Sequence, residues 1–283
     1  PFSKALTTHD CMTLVEIAKA VTEIARSAGA AILSIYHNVD DMQVAIKDDQ
    51  SPVTIADRAA NDIICSGLSL LPEKHPIIAE ESRQAPFEER RHYHTYWLVD
   101  PLDGTKEFLK KNGEFAVNIA LIEHGRPVLG VVFDPCVNEM YWAVKGHGAW
   151  FERNGHIKQL HAATFRMTDP GLKVTCSRSH LNEGTQAYIA ALNAPVIIPK
   201  GSALKFLLIA SGEAHLYPRI GQTSEWDIGA AQIIVEEAGG AILDFHSGKP
   251  LIYNKETLVN PDFIAYGHAE DVEWDLEVAD HKN

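Results

Sequence analysis

The sequence predicts a layered α+β protein whose second half changes to α/β alternation. Two apolar-periodic helical stretches near the beginning, a run of closely spaced strands over residues 115–152, and strand–helix alternation after residue 165 carry this reading. Residues 13–36 place Leu14, Ile17, Val21, Ile24, Ala28, Ile32 and Ile35 at spacings of three and four, the stripe of an amphipathic helix. Thr13 and Glu16 have the spacing of a capping box at its start. Residues 57–71 read as a second helix, apolar at Ile63, Ile64, Leu68 and Leu71 and closed by Pro72. Trp97-Leu98-Val99 reads as a short strand that Asp100 and Pro101 end. Strands at 115–122, 127–133, 139–144 and 148–152 follow, separated by His124-Gly125 and Gly146-His147-Gly148. Connections this short favour an antiparallel meander.

Beyond the meander, strand candidates at 172–176, 195–198, 214–217 and 241–245 alternate with helical stretches near 180–192, 202–211 and 225–238. Two domains are expected: residues 1–165, with the antiparallel sheet and most candidate ligands, and residues 166–283, an α/β unit with the candidate substrate contacts. The acidic tail from His268 is expected to be solvated and frayed.

The net charge is −13, from 25 Lys+Arg against 38 Asp+Glu. So acidic a chain is a poor general binder of nucleic acid or of anionic membranes, which need phosphates neutralised. If it acts on a phosphate, positive charge must be supplied locally, and a bound metal is the obvious source. No apolar run reaches the roughly 18 residues that span a bilayer, and the given N-terminus shows no secretory pattern. Cys11, Cys65, Cys136 and Cys176 are scattered without a C-x-x-C pair, as expected of free thiols in a reducing cytoplasm.

The chemistry concentrates in Asp100-Pro101-Leu102-Asp103-Gly104-Thr105. Asp100 stands at a strand end, Gly104 allows a sharp turn and close ligand approach, and Asp103 can face the same point. Two carboxylates held close repel each other unless a cation lies between them, and Mg2+ prefers such oxygen ligands. An Asp-Pro turn followed by an Asp-Gly turn is the alternative. Glu80, after Ile77-Ile78-Ala79, offers a further oxygen donor or is a solvated strand end. Asp57 or Asp49 is a candidate metal ligand or orienter of an attacking water, although Thr54-x-x-Asp57 also has capping-box spacing. Asp227 opens a helix lined behind by Gly229, Ala230 and Ala231, and is either a ligand or a first-turn acid.

Together, Glu80-Glu81, Asp100-Pro-Leu-Asp103-Gly-Thr105 and Trp226-Asp227 resemble the metal-dependent, lithium-sensitive phosphatase superfamily. It includes inositol monophosphatases, fructose-1,6-bisphosphatases and 3′(2′),5′-bisphosphate nucleotidases, and the resemblance covers roughly residues 13–267. Lys106-Glu107-Phe108, Asn112-Gly-Glu-Phe115-Ala-Val-Asn118, Ser177-Arg178-Ser179-His180, Gly201-Ser202-Ala203-Leu204-Lys205 and Tyr217-Pro-Arg219 are similar to the bacterial CysQ-type nucleotidases. The resemblance implies an α-β-α-β-α sugar-phosphatase fold and two Mg2+ ions, with room for a third. Glu80, Asp100 and the Leu102 carbonyl would hold the first ion, and Asp100, Asp103 and Asp227 the second. Thr105, oriented by Asp57 or Asp49, would position or deprotonate the water, and the Gly104 and Thr105 amides would touch the scissile phosphate. His180, Ser202, Lys205 and Arg219 are of the types that can hold an uncleaved phosphate.

The implied substrate is adenosine 3′,5′-bisphosphate, with 3′-phosphoadenylyl sulfate beside it, in sulfur assimilation and nucleotide recycling. A cytoplasmic location, at most peripheral on the inner membrane, and lithium inhibition are implied as well; a homodimer stays open. The rival readings are an inositol or sugar monophosphatase on the same metal site and a non-catalytic metal-binding module.

Overall fold

The computed structural model describes residues 12–38, 44–46, 52–178 and 182–272, with backbone only for 44–46 and 52–53. Helix α1, Leu14–His37, opens with the expected capping box: the Thr13 side chain accepts from the Glu16 N–H, and the Glu16 carboxylate accepts from the Thr13 N–H. Strands β1 (Val44–Ile46) and β2 (Pro52–Thr54) pair antiparallel and lead into α2, Ile55–Leu70. Then come β3 (Ile77–Ala79), α3 (Phe87–Arg90), β4 (Thr95–Asp103) and α4 (Thr105–Leu109). The meander is β5 (Ala116–Glu123), β6 (Arg126–Asp134), β7 (Glu139–Val144), β8 (Ala149–Arg153) and β9 (His156–Gln159). Strands β3 to β9 form one seven-stranded sheet in chain order, antiparallel except for the parallel β3–β4 pair.

The second half holds β10 (Thr164–Phe165), β11 (Lys173–Ser177), α5 (Glu183–Ala190), β12 (Val196–Lys200), α6 (Leu204–Ala210) and β13 (Leu216–Arg219). A 3-10 turn at Glu225–Asp227, α7 (Gly229–Glu237), β14 (Ala241–Asp244), β15 (Phe263–Tyr266) and β16 (His268–Ala269) complete it. The second sheet runs β12-β11-β13-β15-β14. It is mixed rather than the parallel sheet that α/β alternation suggests, because β15, unforeseen in the sequence, pairs antiparallel with both β13 and β14. The tail reading also needs correction as far as it is described. Strand β16 pairs with β10, and the Met167 N–H donates to the Asp271 carboxylate, so the chain is anchored through at least Asp271.

Alternation along the first sheet separates two apolar faces. Trp97, Val99, Val117, Ile119, Val131 and Phe133 face α1 and α2. Leu98, Ala120, Ile122 and Val132 face the layer of α6 and α7, which also covers Phe263 and Ala265 of the second sheet. Phe165, Val174, Leu216 and Ile189 of α5 form the far layer. The expected α-β-α-β-α order is therefore observed. Gly130 of β6 lets α7 lie close: a Cβ there would stand 2.3 Å from the Ala230 carbonyl oxygen. Among the described residues no helix is long and apolar enough to cross a membrane, and Cys65, Cys136 and Cys176 are free.

Asp134, at the end of β6, is 4% exposed and accepts from the Cys136 N–H at 3.0 Å. Burial pushes its carboxyl up to about 6 from an ordinary 3.8, against the pull of the Val137 and Cys136 amides. A carboxyl raised in the folded state favours folding when protonated, so this contribution is present below pH 4 and is lost as pH rises through 6. Asp134→Asn should therefore gain stability over the parent between pH 4 and pH 7, by up to about 3 kcal/mol. Paired urea titrations at the two pH values would show it, and a difference independent of pH would refute it.

Candidate active site

Strand β4 does not stop at Val99 as the sequence reading expected. It continues to Asp103, because Pro101 sits in a bulge: Asp100 pairs with Asn118 and Asp103 with Ala116, so β4 has one residue more than β5 between them. On a regular strand, side chains three residues apart point to opposite faces. The bulge cancels this and lets Asp100 and Asp103 interact with a common group of carboxylates. The parallel ladder continues through the Glu80 N–H to the Val99 carbonyl at 3.1 Å and brings Glu80 to the end of β4. Asp227 arrives from the second half on its 3-10 turn, fixed by the Ser224 N–H at 2.8 Å.

Asp100 is 1% exposed, and its Oδ1 accepts from the Leu102 N–H at 3.1 Å. Burial first, then the charges of Glu80, Asp103 and Asp227 and a hydrogen bond with Glu80, hold its carboxyl well above the usual range. Asp227 is likewise raised by burial and then by Asp103. Asp103 is raised less: burial is opposed by the Lys205 charge, the Ala203 N–H and the Ser202 hydroxyl. These carboxylates disfavour one another's charge across a common space, the situation a divalent cation relieves.

Asp57 closes the capping box of α2 and also reaches Thr105. One carboxylate oxygen accepts from the Thr54 N–H at 2.8 Å and the Thr54 hydroxyl at 2.6 Å. The other accepts from the Thr105 hydroxyl at 3.1 Å, while the Leu102 carbonyl lies 3.4 Å from the same hydroxyl. Burial raises the Asp57 carboxyl against these hydrogen bonds. Gly104, at φ 98°, makes the turn between β4 and α4, and a Cβ on it would meet the Glu114 carbonyl oxygen at 2.9 Å.

The second sheet and α6 add cations to the same cleft. Lys205 is 6% exposed; its Nζ donates to the Ser202 carbonyl and lies 5.2 Å from the Tyr217 ring centroid. Burial pulls the ammonium down to about 8, against the attraction of Asp103. Arg219, at the end of β13, donates to the Gln222 carbonyl at 3.1 Å. Glu80, Asp103, Gly104, Thr105, Ser202, Lys205, Arg219 and Asp227 all line one cleft of 400 Å³, with Asp100 and Asp57 behind its wall. Asp49 and His180 lie outside the described residues.

The sequence reading assigned no role to two further groups beside these carboxylates. The Ala203 N–H donates to Asp103, and a main-chain donor leaves no mark in a sequence. Asn118, 1% exposed and paired opposite Asp100, has neither side-chain polar atom hydrogen-bonded among the described residues. A buried amide in a strand of apolar residues was its available signal.

The sequence profile of the inositol monophosphatase family matches residues 13–274. The chain is 46% identical to the 3′(2′),5′-bisphosphate nucleotidase CysQ of Escherichia coli K12, over 86% of this chain and 96% of that one. Its counterpart from Buchnera aphidicola is 45% identical, over 87% and 91%. The crystal structure of CysQ from Bacteroides thetaiotaomicron superposes with a TM-score of 0.79 at 38% identity, covering 90% of this chain and 98% of that one.

Proposed function

The chain belongs to the inositol monophosphatase family, beside its CysQ-type members, and we propose that it is a Mg2+-dependent phosphomonoesterase that hydrolyses the 3′-phosphate of adenosine 3′,5′-bisphosphate. The products are AMP and phosphate, and 3′-phosphoadenylyl sulfate is a second substrate of the same pocket. The observation that carries this reading is one cleft lined by both carboxylates, among them Glu80, Asp103 and Asp227, and the cations Lys205 and Arg219. Carboxylates alone would repel a phosphate ester, and cations alone would hold it without hydrolysing it.

The donor set fits Mg2+. Every candidate ligand is an oxygen, and the Asn118 amide beside Asp100, without a partner among the described residues, suits a hydrated ion. Among the described residues no three His, Cys, Asp or Glu side chains form a ready-made ion site, so carboxylates alone would not complete the coordination. Mg2+ tolerates this because it keeps several waters and takes oxygens from substrate phosphates. Glu80, Asp100 and the Leu102 carbonyl would hold one ion, and Asp100, Asp103 and Asp227 another. When bound, such ions lower the pKa of a water and stabilise the leaving oxygen.

The chain's own groups do the rest. The Thr105 hydroxyl directs the attacking water and relays its proton to Asp57, whose far oxygen is fixed by Thr54. Lys205 and Arg219, with Ser202 and His180, hold the phosphate that is not cleaved. Phosphate release from adenosine 3′,5′-bisphosphate, inositol 1-phosphate and fructose 1,6-bisphosphate, with Mg2+ and then with chelator, tests this. The nucleotide should be strongly preferred and chelator should abolish turnover. A preference for inositol phosphate would leave the role of the carboxylates standing and remove the phosphate-holding role of the cations. No turnover of any of the three would overturn the reading.

A further inference from the structure

The Asn112-Gly-Glu-Phe115 stretch carries no part of the chemistry above, yet its Glu114 joins both halves of the cleft. Glu114 lies between α4 and β5, on the segment beside Gly104, with its side chain 12% exposed. One carboxylate oxygen accepts from the Gly201 N–H at 2.8 Å and from Arg178 Nε at 3.0 Å. The other accepts from Arg178 Nη2 at 2.8 Å, with Lys200 Nζ at 3.9 Å. Arg178 follows β11 and also donates to the Pro199 carbonyl at 3.0 Å. One carboxylate of the first sheet's connections thus holds the ends of β11 and β12.

The turn it holds is the one that leads into Lys205. Ser202 has φ 54°, a left-handed conformation that a non-glycine residue keeps only when its surroundings enforce it. The Gly201 N–H to Glu114 fixes the turn on one side and the Ala203 N–H to Asp103 on the other, and the Lys205 ammonium closes it on the Ser202 carbonyl. Gly201 is pressed so closely that a Cβ would stand 2.9 Å from both Glu107 and Glu114 side-chain carbons.

We propose that Glu114 is a positioning residue that sets the preference for a two-phosphate substrate, by clamping Arg178 and the 201–203 turn so that Lys205 and Ser202 are held in place in the cleft they share with the carboxylates. This rests on the nucleotidase reading above. Glu114 itself touches no substrate and moves no proton. The bidentate Glu114–Arg178 pair is the element to break, since such pairs fix geometry as well as contribute energy.

The test measures kcat and KM at saturating Mg2+ for adenosine 3′,5′-bisphosphate and for 3′-AMP. The proteins are the parent, Glu114→Gln, Glu114→Ala, Arg178→Ala and the Glu114→Ala/Arg178→Ala double variant. Glu114→Gln keeps an acceptor for the Gly201 N–H and loses the charge, so it guards against a misfolded alanine variant. KM for the bisphosphate should rise about tenfold in Glu114→Ala, with kcat and both constants for 3′-AMP changed less than about threefold. Glu114→Gln should show a smaller rise of the same kind, and the double variant should be no worse than Glu114→Ala. Equal losses on both substrates, or losses that simply multiply in the double variant, overturn the proposal. A parent protein without preference for the bisphosphate overturns the nucleotidase reading. Glu114 is then judged on whichever ester is hydrolysed, and the clamp survives only if its variants move KM, spare kcat and remain non-additive with Arg178.

Discussion

Asp100→Asn should lower kcat by roughly a thousandfold or more and leave the protein folded, the loss expected when a member of a concerted catalytic group is removed. Asparagine has the shape of aspartate, and its oxygen can still accept the Leu102 N–H that Asp100 Oδ1 accepts at 3.1 Å. The substitution removes charge from a place where burial and then Glu80, Asp103 and Asp227 all oppose it. The metal-free variant should therefore melt higher than the metal-free parent, because an unpaired buried charge is a liability. The rise in melting temperature on adding Mg2+ should shrink, since stabilisation by a ligand follows its affinity. Thermal scans with and without Mg2+, beside initial rates, separate these effects. Retained turnover, or loss through unfolding, would remove Asp100 from the centre of the site.

Thr105→Val should lower kcat by about two to four orders of magnitude and change KM little, as expected for the loss of a proton-transfer group. Valine keeps the shape and deletes the hydroxyl whose 3.1 Å hydrogen bond reaches Asp57. Asp57 keeps its Thr54 partners, so the start of α2 should survive. Thr105→Ser restores the hydroxyl and should recover most of the rate. If valine and serine variants are equally active, Thr105 only packs, and the route from water to Asp57 fails.

How much of this could be read from residues alone depends on how local its cause was. Helix α1 was legible because one apolar stripe and one capping box specify it within a single segment. The meander was legible because short turns leave few ways to pair consecutive strands. Strand β15 was not: Phe263–Tyr266 is four residues long, and it is a strand because β13 and β14, distant in sequence, lie on either side. The passage of β4 through Pro101 was hidden for a similar reason, since a bulge is defined against the partner strand. Asp103, Asp227 and Asp57 draw notice as candidates because carboxylates beside turns and helix starts stand out, and the fold brings the first two into one cleft. The contributions of Ala203 and Glu114 depend on which main-chain donors come within reach, and that is settled only when both sheets are in place.

The helical layer between the sheets has a consequence for how this chain can be divided. Residues 77–159 make up the whole first sheet, but α6 and α7, which cover one face of it, are supplied from residues 204–237. A fragment ending near residue 165 would leave Leu98, Ala120, Ile122 and Val132 bare to water, a broad apolar surface of the kind that aggregates. The other fragment would carry helices with nothing to cover on one side. The chain has two sheets that share one helical layer, so a cut between them is expected to leave neither piece with its core closed.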